Sequence, residues 1–167
     1  MTLPLPGFDP TTSLRIVGLF VSPGHNYFGR YGQESLTHPT VAVDQIECVA
    51  ARGIRGDRFF DFKPDYKGQV TFFALETWEA LCTEFTISPA DRDVSVFRRN
   101  VITRGVDLND LIGAEFTIQG VRFLGTGEAK PCVWMNEAFA PGAEAALRGR
   151  GGLRARVLSD GLLRRDG

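Results

Sequence analysis

Glycine sets the first constraint on this chain. Nineteen glycines and nine prolines are spread over 167 residues, so apolar runs are cut short and long helices are excluded over most of the length. Between the breaks lie branched and aromatic residues, which predict short strands at Leu14 to Val21, Val41 to Ala50, Gln69 to Phe73 and Leu153 to Leu158. Glu115 to Ile118 and Val121 to Gly125 are separated by Gln119-Gly120, a two-residue link that suits a hairpin. Only Leu75, Trp78, Leu81, Cys82 and Phe85 carry a helical period. A second short helix is expected within Ala138 to Leu147, following the Pro141-Gly142 break, and a helical turn at Asp107 to Leu111. The reading is mainly β, a barrel or strongly bent sheet with a few short helices: one domain over 14–167 behind an N-terminal extension, 1–13. Strands do not alternate regularly with helices, which counts against a doubly wound dinucleotide fold.

Charge and cysteine usage narrow the function classes. A net charge of −1 removes the global drive toward nucleic acid, and nucleic acid is not expected as a partner. No segment approaches the length of an uninterrupted apolar bilayer span, so no membrane is expected either. Cys48, Cys82 and Cys132 are odd in number and widely spaced, unlike a disulfide scaffold or a cysteine-rich zinc site. A reducing cytoplasm is the expected location, and Met1 to Pro10 lacks the basic and apolar regions of a secretory leader.

Few places carry chemistry. Cys132 follows Lys130-Pro131; the proline stiffens the approach and the ammonium favours a thiolate, which can hold a soft metal or carry sulfur. Cys48 in a strand and Cys82 on the apolar helix face read as core. Gly53-Ile54-Arg55-Gly56-Asp57-Arg58 can turn tightly and present amides and guanidinium forks to an anion, or be a plain solvated bend. Gly149-Arg150-Gly151-Gly152 suits a close backbone approach but lacks the Lys-Ser/Thr of a nucleotide phosphate loop. From Arg148 onward six arginines face two aspartates, an anion-attracting end. His25 and His38 lie in a polar, glycine-containing stretch, Ser22 to Pro39, that reads as a long binding loop or lid. The usual local signs of serine hydrolases, zinc proteases and dinucleotide oxidoreductases are missing.

Taken in order, Gly53 to Arg58, Arg98-Arg99-Asn100-Val101-Ile102-Thr103, Asp107-Leu108-Asn109, Thr126-Gly127, Lys130-Pro131-Cys132 and Gly149 to Gly152 resemble the MOSC domain, the molybdenum-cofactor sulfurase C-terminal domain. The resemblance runs from about Leu14 onward. It implies a β-barrel-like fold, binding of a molybdopterin-type cofactor and a key cysteine at Cys132, which either carries sulfur to the cofactor or ligates molybdenum. Arg58, Asn100, Lys130 and Arg150 are the expected donors to the cofactor, with Cys132 the sulfur. A carrier would need a cysteine desulfurase as partner. A molybdenum-dependent reductase of N-hydroxylated compounds would need a separate reductase, since no flavin, haem or iron–sulfur motif is visible. A non-catalytic assembly module presenting the Ser22 to Pro39 loop is the third expectation. This chain has Phe59-Phe60 where many relatives have a histidine, so no histidine role carries over there, and His25, Asn26 and Tyr27 are the candidate substitutes. The chain also stops at Arg165-Asp166-Gly167, about where relatives often continue, which predicts a shorter or partnered edge, and it leaves no room for a pyridoxal-phosphate desulfurase module.

Overall fold

The computed structural model describes residues 11–23 and 40–166. The expectations for 1–10 and for His25, Asn26, Tyr27 and His38 fall outside the described residues. The strands are β1 (Arg15–Val21), β2 (Val41–Ala42), β3 (Gln45–Val49), β4 (Gly53–Ile54), β5 (Val70–Ala74), β6 (Val101–Arg104), β7 (Glu115–Ile118), β8 (Val121–Glu128), β9 (Leu153–Val157) and β10 (Gly161–Arg164). Three short α-helices accompany them, α1 (Leu75–Glu84), α2 (Trp134–Ala138) and α3 (Ala143–Ala146), with 3-10 turns at Val94–Phe97 and Leu108–Leu111. The architecture is mainly β, as the glycine spacing predicts.

Seven strands form one sheet in the order β2-β1-β6-β5-β9-β8-β7, and three form a second in the order β10-β3-β4. Among the described residues neither sheet closes on itself, so of the barrel and the strongly bent sheet expected, the open, bent arrangement is the one present. Registers shift between Ile16 and Gly18 in β1 and between Gly125 and Gly127 in β8, and such bulges add twist where they occur. One pair, β5 with β6, is parallel; a parallel pair needs a crossover, and α1 lies on it.

β5 explains how two cores share one sheet. Successive side chains of a strand point to opposite faces. Phe72 packs with Ile46, Cys48, Ile54, Phe116, Phe123 and Leu163, which joins the small sheet to the large one. Phe73 packs on the other face with Leu81, Cys82, Phe97, Met135 and Phe139, beneath the helices. Buried on both sides, β5 reads as a continuous apolar run rather than an alternating one.

Several elements depart from the sequence reading. Val41 to Ala50 is split into β2 and β3, and Gly53-Ile54 is a short strand paired with β3 rather than only a turn. The helix expected within Ala138 to Leu147 is α3, which starts directly after Gly142 at φ +93°, while α2 before it is an element the sequence reading does not contain. Leu153 to Leu158 is not the last strand: β10 follows and pairs with β3. Among the described residues no helix is long and apolar enough to cross a membrane.

Gly125 marks a close approach in the sheet. A Cβ there would sit 1.9 Å from the Leu111 carbonyl oxygen, so backbone must shift to admit one. Gly125→Ala is expected to destabilise the fold by about 2–3 kcal/mol, read as a lower urea midpoint at unchanged slope.

Candidate functional site

The site is built on a buried amide and a buried carboxylate. Asn100 precedes β6, is 3% exposed, and uses its whole side chain inside the fold. Its Oδ1 accepts from the Thr71 amide at 3.0 Å and the Thr71 hydroxyl at 3.1 Å; its Nδ2 donates to Phe20 O and to Asp57 Oδ1, both at 3.2 Å. Two acceptor and two donor positions exhaust an amide side chain. Asn100, an expected cofactor donor, therefore braces the site with both of its side-chain donor positions engaged inside the fold.

Asp57 lies in the turn after β4, where its Oδ1 also accepts from the Ser22 amide at 3.0 Å and its Oδ2 accepts from the Phe59 amide at 3.2 Å. Together the two side chains tie β1, β5, β6 and the Gly53 to Arg58 turn at one point. A buried carboxylate needs such donors and an opposite charge to remain ionised.

The opposite charge is in excess. Arg58 places Nη1 3.8 Å from Asp57 Oδ1 and rests its guanidinium 4.7 Å from the centre of the Phe59 ring. Its buried Nε has no hydrogen-bond partner among the described residues. Burial loosens the Arg58 guanidinium's hold on its proton, an effect opposed by Asp57 and Tyr66. Arg98 is 8% exposed, adopts the left-handed conformation with φ 59° and ψ 41°, and donates to the Ser22 hydroxyl. Its pKa is lowered to about 10, first by burial and then by the like charge of Arg58, with Asp57 and Cys132 acting the other way. A non-glycine residue held left-handed and buried is an arrangement the surroundings enforce.

Arg99 is also lowered to about 10, by burial first; Cys132 and Glu128 oppose the shift, and Arg58 and Arg154 add to it. Its guanidinium is turned onto backbone carbonyls of Phe97, Ala129 and Gly151 at 2.9–3.3 Å. Two guanidiniums, Arg58 and Arg98, thus face one buried carboxylate, with Arg99 close enough to Arg58 to add like charge, and the surplus positive potential favours an anion.

Cys132 lies electrostatically beside Arg98 and Arg99, on the loop between β8 and α2. Its residue is exposed, and its Sγ is 3.7 Å from Met135 Sδ. The other thiols are buried. Burial, with Glu47 adding to it, pushes Cys48 up to about 12, and burial with Glu79 raises Cys82.

The remaining expected donors lie elsewhere. Arg150 donates to Ala146 O at 2.8 Å and to Glu84 at 2.7 Å, on the wall of a cavity of about 400 Å³ shared with Glu76, Asp107, Asn109 and Gly152. Lys130 is exposed and lines a separate depression with Glu128, Pro131, Glu144 and Arg148. Sequence reasoning named Arg58 and Cys132 and passed over Asp57, Arg98 and Arg99 as site residues. The adjacent arginines before Asn100 were the available signal; the left-handed backbone at Arg98 has none. Among the described residues no group of three or more His, Cys, Asp or Glu is placed to hold a metal ion.

Comparison with known proteins agrees with the motifs. The model of the MOSC domain matches residues 61–166, a segment that contains Arg98 to Asn100, Lys130, Cys132 and Arg150 and begins just after Arg58. Among solved structures, the chain is similar to the YuaD protein of Bacillus subtilis, with 17% identity over 91% of both chains and a TM-score of 0.68. YiiM of Geobacillus stearothermophilus is 15% identical over 90% of this chain and 71% of its own, with a TM-score of 0.63. YiiM of Escherichia coli is 16% identical over 92% of this chain and 65% of its own, with a TM-score of 0.59. At these identities the likeness is one of fold. No curated protein matches the sequence.

Three outcomes are expected from this geometry. A small alkylating reagent at mildly alkaline pH is expected to modify Cys132 alone in the folded protein, and all three cysteines after unfolding, as counted by mass spectrometry. Asp57→Asn removes the carboxylate from beneath the arginines and is expected to cost about 3 kcal/mol in urea unfolding. Added phosphate should raise the Tm of that variant more than that of the wild type.

Proposed function

Because the chain belongs to the MOSC domain family, we propose that it binds a molybdenum cofactor of the molybdopterin type. In this reading Arg58 and Arg98 take the anionic end and Cys132 supplies sulfur at the metal end. The observation that carries it is the pairing of a cation surplus, including a buried Arg58 Nε without a partner among the described residues, with an exposed thiol beside Arg98 and Arg99. That donor set suits a ligand with a phosphate at one end and a soft metal at the other. When bound, the cofactor would supply two-electron or sulfur chemistry at molybdenum.

The chain's own residues have separable tasks. Arg58, partly desolvated and stacked on Phe59, offers a fixed guanidinium plane to an anion. Arg98, held by its backbone conformation and by Ser22, directs a second. Asp57 neutralises part of their mutual repulsion while the site is empty of anion, and orients them. Lys130 stands two residues before the thiol and adds positive potential on the solvent side. An exposed sulfur serves either a metal ligand or a carrier that receives sulfur from a cysteine desulfurase.

Expression in a host that makes the cofactor tests the reading. Molybdenum and pterin are expected to copurify with the wild type and to fall about tenfold or more in Arg58→Met, the loss of a charge-assisted contact. Absence of both from correctly folded wild-type protein would overturn the proposal. Cys132→Ser then separates the two roles. As a ligand, the thiol is needed for molybdenum retention; as a carrier, it is dispensable for retention but gains one sulfur atom by mass after incubation with a cysteine desulfurase and cysteine.

A further inference from the structure

The loop that carries Cys132 meets the Gly149 to Gly152 loop backbone to backbone. A Cβ on Gly151 would lie 2.3 Å from the Ala129 carbonyl oxygen and 3.0 Å from Pro131 Cδ, and the Ala129 amide donates to Gly152 O at 2.8 Å. Two charged side chains fasten this seam. Arg99 donates from Nε to Gly151 O at 3.1 Å, and from Nη2 to Ala129 O at 2.9 Å and Lys130 O at 3.5 Å, so one guanidinium holds carbonyls of both loops. Its Nη1 donates to Phe97 O at 3.3 Å, which anchors the fork to the 3-10 turn before it.

Glu128 fastens the seam from the other direction. Its Oε2 accepts from the Gly149 amide at 2.9 Å and the Gly151 amide at 3.1 Å. The glycine loop, whose sequence suggests an amide cradle for an external anion, thus has its amides taken by a carboxylate of the same chain. Arg99 is likewise spent on backbone: Nε, Nη1 and Nη2 all donate to carbonyls of the chain itself.

We propose that Arg99, with Glu128 as its counterpart, is a positioning residue: it holds the Lys130-Pro131-Cys132 loop against the glycine loop and so keeps the thiol beside Arg98. The inference rests on the reading of Cys132 as the working sulfur. It assigns Arg99 a role distinct from the two arginines that face the anion. Lysine cannot replace it, because an ammonium is a point donor that cannot span carbonyls on two loops.

The test uses the full chain and reads the position of the thiol through its electrostatic surroundings. Cys132 is alkylated with iodoacetate, an anion, and with iodoacetamide, its neutral analogue, and the ratio of the two rates is referred to that of a free cysteine peptide. In the wild type the nearby guanidiniums are expected to favour the anion. Arg99→Lys and Arg99→Met should both lose that preference, by about threefold or more, because both release the loop. Retention of the wild-type ratio in both folded variants would overturn the proposal, and so would loss in Arg99→Met alone, which would assign Arg99 a charge role only. Should neither variant fold, Glu128→Ala cuts the other tie without removing a guanidinium and is read in the same way. The ratio needs no cofactor: a shifted ratio in a protein that never retains molybdenum supports the positioning role while the functional reading fails, and a normal ratio in a protein that does retain it has the reverse meaning.

Discussion

The interaction on which the rest of the site depends is the Asp57 to Asn100 hydrogen bond, buried where four segments of chain meet. A carboxylate in that position is tolerated because amides of Ser22 and Phe59 and the side chain of Asn100 donate to it, and because Arg58 stands beside it. Remove those donors and the charge is too expensive to bury. With them in place, the arginines can be held closer to one another and to a thiol than cations in water would remain. The lowered pKa values of Arg98 and Arg99, each at about 10, express the same tension: burial and like charge disfavour the protonated form, and an anion beside them would offset the like charge.

Much of the fold was legible because it depends on local chemistry. Gln119-Gly120 sits at the hairpin turn with both residues at positive φ, and the apolar face of α1 buries Leu81 and Cys82 as the spacing of its residues requires. What escaped were elements whose stability is borrowed from partners. β6 and β10 are four residues each, too short for a period to show, and they exist because β1, β5 and β3 supply hydrogen bonds. The choice between a barrel and a bent sheet stays open in the sequence for a related reason: closure depends on strand tilt and stagger, which no single segment encodes.

The site divides in the same way. Cys132 and Arg58 stand out in the sequence because each lies in a run with its own chemical logic. Asn100 was read as a ligand donor and is a brace, since hydrogen-bond satisfaction is a property of the folded neighbourhood. Arg98 and Arg99 are adjacent in sequence yet do different things. A left-handed residue at Arg98 turns one guanidinium toward Ser22 while the next reaches the Ala129 and Gly151 carbonyls. Backbone conformation, rather than residue type, separates the two side chains, and conformation of that kind has no signature outside glycine and asparagine.

The central claim is that the surplus of positive charge around Asp57 is a built anion site next to the reactive sulfur. Calorimetric titration of the purified chain with inorganic phosphate tests it most directly. Saturable binding is predicted, weakened about tenfold by Arg58→Met or Arg98→Met and unchanged by Arg148→Met at an exposed position of the basic end. Equal binding by Arg58→Met and the wild type, or no binding by the wild type, would contradict the account.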